Sequence, residues 1–397
     1  MLQAKVNNDK LITLFQYSKE EIEKLRANYH FYCPACEQKV IVKAGTKMIP
    51  HFAHHSTASC QINEGGEGSY HEKGKLLLYQ WLKKQGLDVT LERYFPTIKQ
   101  RADLYIRIKL KQIAIEYQCA KIPIEEVLKR TRGYLQEGIQ PIWILGANQF
   151  YRIGSHALKV DQFILHFLQQ YNHNELPLLF FFDPRSNSFI TAANLILTHS
   201  HRAIGNFTIR KLNSIKFMDI FNTPSFFSQF LLQEWKKVKY NFRIYNPKKL
   251  YGKTLLWYKW LYFKGLHKDY LPSEVYLPVQ TQYQMNTPPW DWQSRICIEV
   301  IDPIPIGGTF SLQTCYHQLQ KNISNIPFPL ISNRKDPILE YLQLLCCLTL
   351  INQVSKNVFK KCKDIKYYSH IEDAIKGDEQ FLKELLHIFK SKYEHDS

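Results

Sequence analysis

Two groups of residues in this sequence have the types and spacing that chemistry needs. The first is Cys33 and Cys36 in "CPAC", followed closely by "HFAHHSTASC". A C-x-x-C turn lets two thiolates reach one ion, and a second pair about fifteen to twenty residues later can complete a tetrahedron. Cys60 supplies the third ligand, and His51, His54 or His55 the fourth. Four protein ligands make a closed, structural Zn²⁺ site rather than a catalytic one. The competing reading is a free dithiol, but no thioredoxin-like βαβ pattern surrounds the pair.

The second group lies in "RADLYIRIKL" and "IAIEYQCAKIP". Glu116 and Gln118 are two apart in a strand-like run, so their side chains share a face. Asp103 in the preceding strand can join them around one Mg²⁺ or Mn²⁺, because hard divalent cations take oxygen ligands and keep waters for a phosphate. Such an ion polarises a scissile phosphate and helps generate the attacking hydroxide. Upstream, Glu67, His71 and Lys75 recur at i, i+4 and i+8 and form one helical stripe that can aim a further ligand and a cation at the same point. Spacing alone leaves the plainer reading open, in which the stripe is a solvated helix edge and the acids are outward sheet residues.

The elements that must hold these residues are legible around them. "SYHEKGKLLLYQWLKKQG" has Leu77, Leu78, Trp81 and Leu82 at helical spacing and stops at Gly86. "VTLERYF", "RADLYIRIKL" and "IAIEYQC" read as strands, the last two joined by a turn near Lys109–Lys111. "IPIEEVLKRTRGYLQEG" is an amphipathic helix bounded by Pro123 and Gly138, and "IQPIWILGA" is a buried strand. This order describes a small α/β core, with helices packed on a mixed sheet.

Texture divides the chain into three expected domains: 1–62, rich in Cys and His; 63–150, the α/β core; and 151–397, mainly helical. Within the last, "PLLFFFDPRSNSFI" looks like a hairpin, the proline-rich stretch 272–312 reads as extended segments, and the last ninety residues return to helix. "YLQLLCCLTLI" reads as a core helix, with Cys346 and Cys347 as packing, and "KNVFKKCKDIK" as a solvated basic helix face.

Composition narrows the partners. A hydrophobic fraction of 45% and a charged fraction of 22% describe a globular chain, and a formal charge of +17 points to nucleic acid or another anionic surface. Nine cysteines in 397 residues do not make a disulfide framework. No secretory h-region and no apolar run long enough for a membrane span are present, so a cytoplasmic location is expected. Residues 234–268 hold ten Lys or Arg, ten aromatics and one acid. Cations along a phosphate backbone, with aromatic faces for the bases, are what single-strand binding requires. The alternative is a helix that buries Leu255, Leu256, Tyr258, Trp260 and Leu261 with lysines outside.

Taken in order, "CPAC…HFAH", E-x-x-x-H-x-x-x-K, "RADLYI", "AIEYQ", "RTRGY" and "PIWILG" resemble the competence protein CoiA family, over residues 30–146. The resemblance implies a restriction-endonuclease-like PD-(D/E)xK core, preceded by a zinc-ribbon-like module and followed by a mainly helical C-terminal domain. Asp103 then fills the D position, Glu116 the (D/E) position, and Glu67 is the first-helix acid. Gln118 stands where lysine is usual, and a neutral amide lacks the charge that lysine offers a developing phosphorane. Lys75 is the first choice for a displaced cation; Lys121 and Lys129 read better as solvated charge. The implied role is in natural transformation, cutting or binding incoming single-stranded DNA on its way to recombination. The alternative role is a non-catalytic accessory to the strand-exchange recombinase.

Overall fold

A computed structural model describes residues 1–6, 10–45, 49–55, 60, 68–171, 177–223, 229–331 and 335–394. The first unit is a five-stranded antiparallel sheet built from β1 (Gln3–Val6), β2 (Lys10–Thr13), β3 (Phe31–Tyr32), β4 (Lys39–Lys43) and β5 (His51–His54), in the order β2-β1-β3-β4-β5. Alternation puts Ala4, Val6, Val40, Val42 and Phe52 on its inner face, closed by Ile22 of α1 (Lys19–Asn28). Ser18 and Glu21 form a capping box that fixes where α1 begins.

The central unit carries α2 (Ser69–Lys84), β6 (Asp88–Leu91), the short hairpin β7 (Tyr94–Phe95) and β8 (Gln100–Arg101), then β9 (Leu104–Ile108) and β10 (Lys111–Gln118). β9 and β10 pair antiparallel around a turn in which Lys109 takes a positive φ of 53°. From β10 the chain crosses through α3 (Ile124–Gln136) to β11 (Ile139–Gly146), which pairs parallel with β10. The expected helix stops at Gly86 and Gly138 both hold left-handed backbone, at φ 74° and 68°.

Period-two alternation divides this sheet between its two helices. Ile113, Ile115 and Tyr117 pack with Leu78, Trp81 and Leu82 of α2, whereas Ala114 packs with Tyr134 of α3. The close approach of α2 depends on Gly74, where a Cβ would lie 2.0 Å from Tyr117 Cε1.

The sheet does not end at residue 150, where the change of texture was read as a boundary with helices beyond it. β12 (Tyr151–Arg152), β13 (Ala157–Lys159), β14 (Leu179–Asp183), β15 (Ser188–His199) and β16 (Arg202–Lys211) extend it to nine strands, in the order β12-β13-β16-β15-β14-β11-β10-β9-β6; among the described residues only the short α4 (Gln162–Leu165) interrupts them. The aromatic run is the cause. β14 is buried on both faces, with Phe180 and Phe182 in the core under α2 and Leu179 and Phe181 in the opposite one. A strand with two apolar faces shows no alternation, so it cannot be told from a helix by pattern. The hairpin read from "PLLFFFDPRSNSFI" is the β14–β15 pair.

Beyond it lie α5 (Gln229–Ile244), α6 (Gly252–Phe263), α7 (Pro289–Arg295), β17 (Thr309–Ser311), α8 (Leu312–Gln318), α9 (Pro337–Cys347), β18 (Ile351–Ser355), β19 (Val358–Lys361) and α10 (Ile371–Glu394). Helices dominate this part, with two departures from expectation. The proline-rich stretch contains α7, because Pro289 occupies the first helical turn, where no N–H is needed. The basic run near residue 360 is strand β19 in a three-stranded sheet, not a helix face, and Lys361 is buried with Nζ donating to the Asp302 carbonyl. α10 docks on α5 through Asp378, whose carboxylate takes two Arg243 N–H groups at 2.8 and 2.9 Å. No helix among the described residues is long and apolar enough to cross a membrane.

Candidate functional site

Two polar centres follow from this fold. In the first, the tight turn after β3 brings the C-x-x-C pair together: Glu37 N–H donates to Cys33 O, Cys33 N–H donates to Gln38 O, and Glu37 has φ 58°. The neighbouring hairpin delivers His54, whose Nε2 lies 3.3 Å from Cys36 Sγ. Ligand atoms of Cys33, Cys36, His54 and Cys60 all lie within 4.8 Å of one another. This is the one such group of three or more Cys, His, Asp or Glu residues among the described residues. Three sulfurs and an imidazole fit a metal of the zinc type. His54 is selected because it lies three residues from His51 in an extended strand, on the opposite face. His51 instead has Nδ1 2.9 Å from the Ile49 carbonyl, and neither it nor His55 belongs to the group.

The second centre is where β6, β9 and β10 stop pairing with one another, while β10 runs on beside β11. The last β6–β9 pair is Leu91 with Leu104, and the last β9–β10 pair is Leu104 with Ile115. The next position on each strand is an acid, so Glu92, Asp103 and Glu116 stand side by side across the sheet, with Glu92 N–H donating to the Asp103 carbonyl at 2.9 Å. The Asp103 side chain takes the next hydrogen bond of the ladder, its Oδ2 accepting from Tyr117 N–H at 2.9 Å.

Helices supply cations to this row from both faces. From α2, Lys75 Nζ lies 2.6 Å from Glu92 Oε1 and 3.5 Å from Asp103 Oδ1, and His71 Nε2 lies 3.4 Å from Asp103 Oδ2. His71 is also stacked on Tyr117, with ring centroids 5.5 Å apart. From α3, Arg130 Nη2 donates to Glu116 Oε2 and Tyr134 Oη to Glu116 Oε1, both at 2.5 Å. Burial, reinforced by the Glu116 charge, holds the Tyr134 phenol well above its ordinary pKa, so it stays a donor. Glu92 Oε2 accepts from the backbone N–H groups of Leu2 and Gln3, which ties β1 of the first unit to the row.

The structure therefore brings together His71, Lys75 and Asp103 from the sequence-derived set. Glu116 adjoins Asp103 along the sheet but turns toward α3. Gln118 lies on the same face of β10, and its amide donates to the Ala120 carbonyl at 2.6 Å. Glu67 lies outside the described residues. Lys121 pairs with Asp161 in solvent, and Lys129 is exposed, as solvated charges. Glu92, Arg130 and Tyr134 were not singled out as site residues. Arg130 and Tyr134 had a signal, since both lie in "RTRGY"; Glu92 had none, because its place in the row depends on strand register.

Comparison with known proteins adds the decisive observation. Sequence models of competence protein CoiA match the chain in three consecutive pieces: the N-terminal domain over 14–63, the nuclease-like domain over 67–225 and the C-terminal domain over 229–375. Competence protein CoiA of Bacillus subtilis (strain 168) is 30% identical over 370 residues, covering 90% of this chain and 96% of that protein.

The chain belongs to the competence protein CoiA family.

Its nine-stranded sheet and the acid row lie within the CoiA nuclease-like domain, and the Cys and His ligands lie within the CoiA N-terminal domain. No solved structure matches the chain.

Proposed function

We propose that this CoiA-family chain acts in natural transformation as a metal-dependent nuclease on incoming single-stranded DNA, with Asp103 and Glu116 as the acids that hold Mg²⁺ or Mn²⁺. The observation that carries this reading is the row of three carboxylates just past the last β6–β9–β10 pairs, with Lys75 and His71 directed onto Asp103. The donor chemistry suits the ion: Asp103 and Glu116 offer the hard carboxylate oxygens that such cations take. When bound, the ion supplies Lewis-acid activation of phosphate and water. Lys75 places a fixed positive charge beside Asp103, where Gln118 supplies none. Gln118 contributes hydrogen bonding alone, to water or to a phosphate oxygen. The Cys₃His group, read as a zinc site, fixes the N-terminal unit, and Glu92 transmits that order to Lys75. The DNA then passes to the strand-exchange recombinase in the cytoplasm.

A second reading, a DNA-binding accessory without catalysis, has its own support. Each Glu116 oxygen is already engaged by a side chain of α3, and Lys75 lies between two acids. Two fixed cations, Lys75 and Arg130, thus already offset two of the row's three negative charges without an added ion. Purified protein given single-stranded or branched DNA distinguishes the two readings. Degradation that needs Mg²⁺ or Mn²⁺, and is lost in Asp103→Ala/Glu116→Ala, supports the nuclease. Salt-sensitive binding without cleavage under any metal supports the accessory.

A further inference from the structure

Helix α6, "GKTLLWYKWLYF", is apolar or aromatic on every side, a pattern that belongs to a fully buried helix. It is not fully buried. Trp257 and Leu261 pack into the C-terminal core, Trp257 against Phe242 and Trp290. Leu256, Tyr262 and Phe263 are 63%, 80% and 83% exposed. Leu256, Lys259 and Phe263 stand at i, i+3 and i+7, which makes one outward stripe, with Tyr262 beside it and edge-on to Phe263. The expectation that Leu256 would lie on the buried face is therefore not met.

The charges around this helix are equally one-sided. No acid occurs from 235 to 268. Six of the ten basic residues there pair with carboxylates: Lys239 and Arg243 with Asp378, Lys268 with Asp269, and, nearer the surface, Lys236 with Glu379, Lys237 with Glu234 and Lys264 with Glu299. Lys248, Lys249 and Lys259 are exposed and have no carboxylate within 4 Å among the described residues.

We infer that the outer face of α6, with the loop leading into it, is a docking surface for single-stranded nucleic acid in the C-terminal domain, separate from the acid row. Protein interfaces deplete lysine at their centre. Exposed aromatic rings interleaved with unpaired lysines are what unpaired bases and their phosphates require, since a base in a duplex has no free face to stack. The inference rests on the proposed function only in taking DNA as the macromolecule the chain handles.

The test uses the full-length protein and a fluorescent oligothymidine of about 30 nucleotides, with anisotropy read at several salt concentrations and no added Mg²⁺ or Mn²⁺. Tyr262→Ala/Phe263→Ala is expected to weaken binding about tenfold or more, and Lys248→Glu/Lys249→Glu/Lys259→Glu to weaken it and flatten its salt dependence. All these positions are exposed, and a thermal melt matching wild type confirms that each variant is folded. Affinity equal to wild type in both variants would overturn the inference, whether or not the protein cleaves DNA. So would a wild-type dimer in sedimentation that Phe263→Ala dissociates while affinity holds, which would assign the face to a second copy. Asp103→Ala/Glu116→Ala is run in parallel: loss of cleavage with retained α6-dependent binding keeps the two claims apart.

Discussion

Lys75 and Glu92 form a buried ion pair within the central unit: Nζ lies 2.6 Å from Oε1, and both side chains are almost wholly excluded from solvent. The other Glu92 oxygen holds the backbone of Leu2 and Gln3. Replacing Glu92 by Gln leaves the Lys75 charge buried with Asp103 as its remaining acid partner among the interactions described above. Removing one partner of a buried pair costs about 3–5 kcal/mol. Chemical denaturation of Glu92→Gln is expected to show a loss of that order. Hydrogen exchange at the Leu2 and Gln3 amides should accelerate more than the global loss explains.

The second pair is Glu116 with Arg130 and Tyr134. Tyr134→Phe removes one donor and leaves a buried carboxylate oxygen short of a partner, a cost of about 1.5–3 kcal/mol for a hydrogen bond to a charged group. The pH dependence has a definite sign. The folded-state pKa of Tyr134 is raised above its unfolded value, first by burial and then by Glu116. The folded state therefore binds more protons than the unfolded state in alkali. This contribution to stability is intact below the ordinary tyrosine range near pH 10 and is lost as pH rises above it. The alkaline decline in stability should be shallower in Tyr134→Phe than in wild type.

Zinc analysis checks the first centre. Protein never exposed to chelator is expected to carry one equivalent of zinc. Less than roughly half an equivalent would contradict a tetrahedral site. Cys36→Ser should lose the metal, whereas His51→Ala should retain it, because His51 is turned to the Ile49 carbonyl.

Gly74→Ala probes how α2 is seated. The added Cβ would meet the Tyr117 ring at 2.0 Å, and that ring is itself pinned by Tyr117 Oη donating to the Phe182 carbonyl at 3.1 Å. Overpacking of this kind costs about 1–3 kcal/mol. α2 must shift, and His71 and Lys75 move with it. Thermal melting should fall modestly, while DNA cleavage should fall far more than stability does.

What could be read in the sequence was what repeats locally. The apolar face of α2, the β9–β10 hairpin and the C-x-x-C turn are each set by periodicity or by a turn residue, and they fold where the pattern puts them. The choice of His54 over His51 follows from strand parity, which spacing alone left open. Glu92 and the extension of the sheet past residue 150 depend on which strands pair across long separations, and no local pattern carries that. The orientation of Glu116 was hidden for a related reason. Sharing a face with Gln118 says nothing of which helix covers that face, and α3 arrives with an arginine and a phenol.

The most direct measurement is single-turnover cleavage of an end-labelled single strand by wild type and by Asp103→Asn, with Mn²⁺ withheld and then restored. Asp103→Asn keeps the size of the side chain and removes its charge. No cleavage is expected without metal, cleavage by wild type is expected when metal is restored, and a folded Asp103→Asn should be at least about 100-fold slower, in line with losing an electrostatic group from a hydrolytic site. Equal rates in the two proteins, or no cleavage by wild type with Mn²⁺ present, would contradict the nuclease reading.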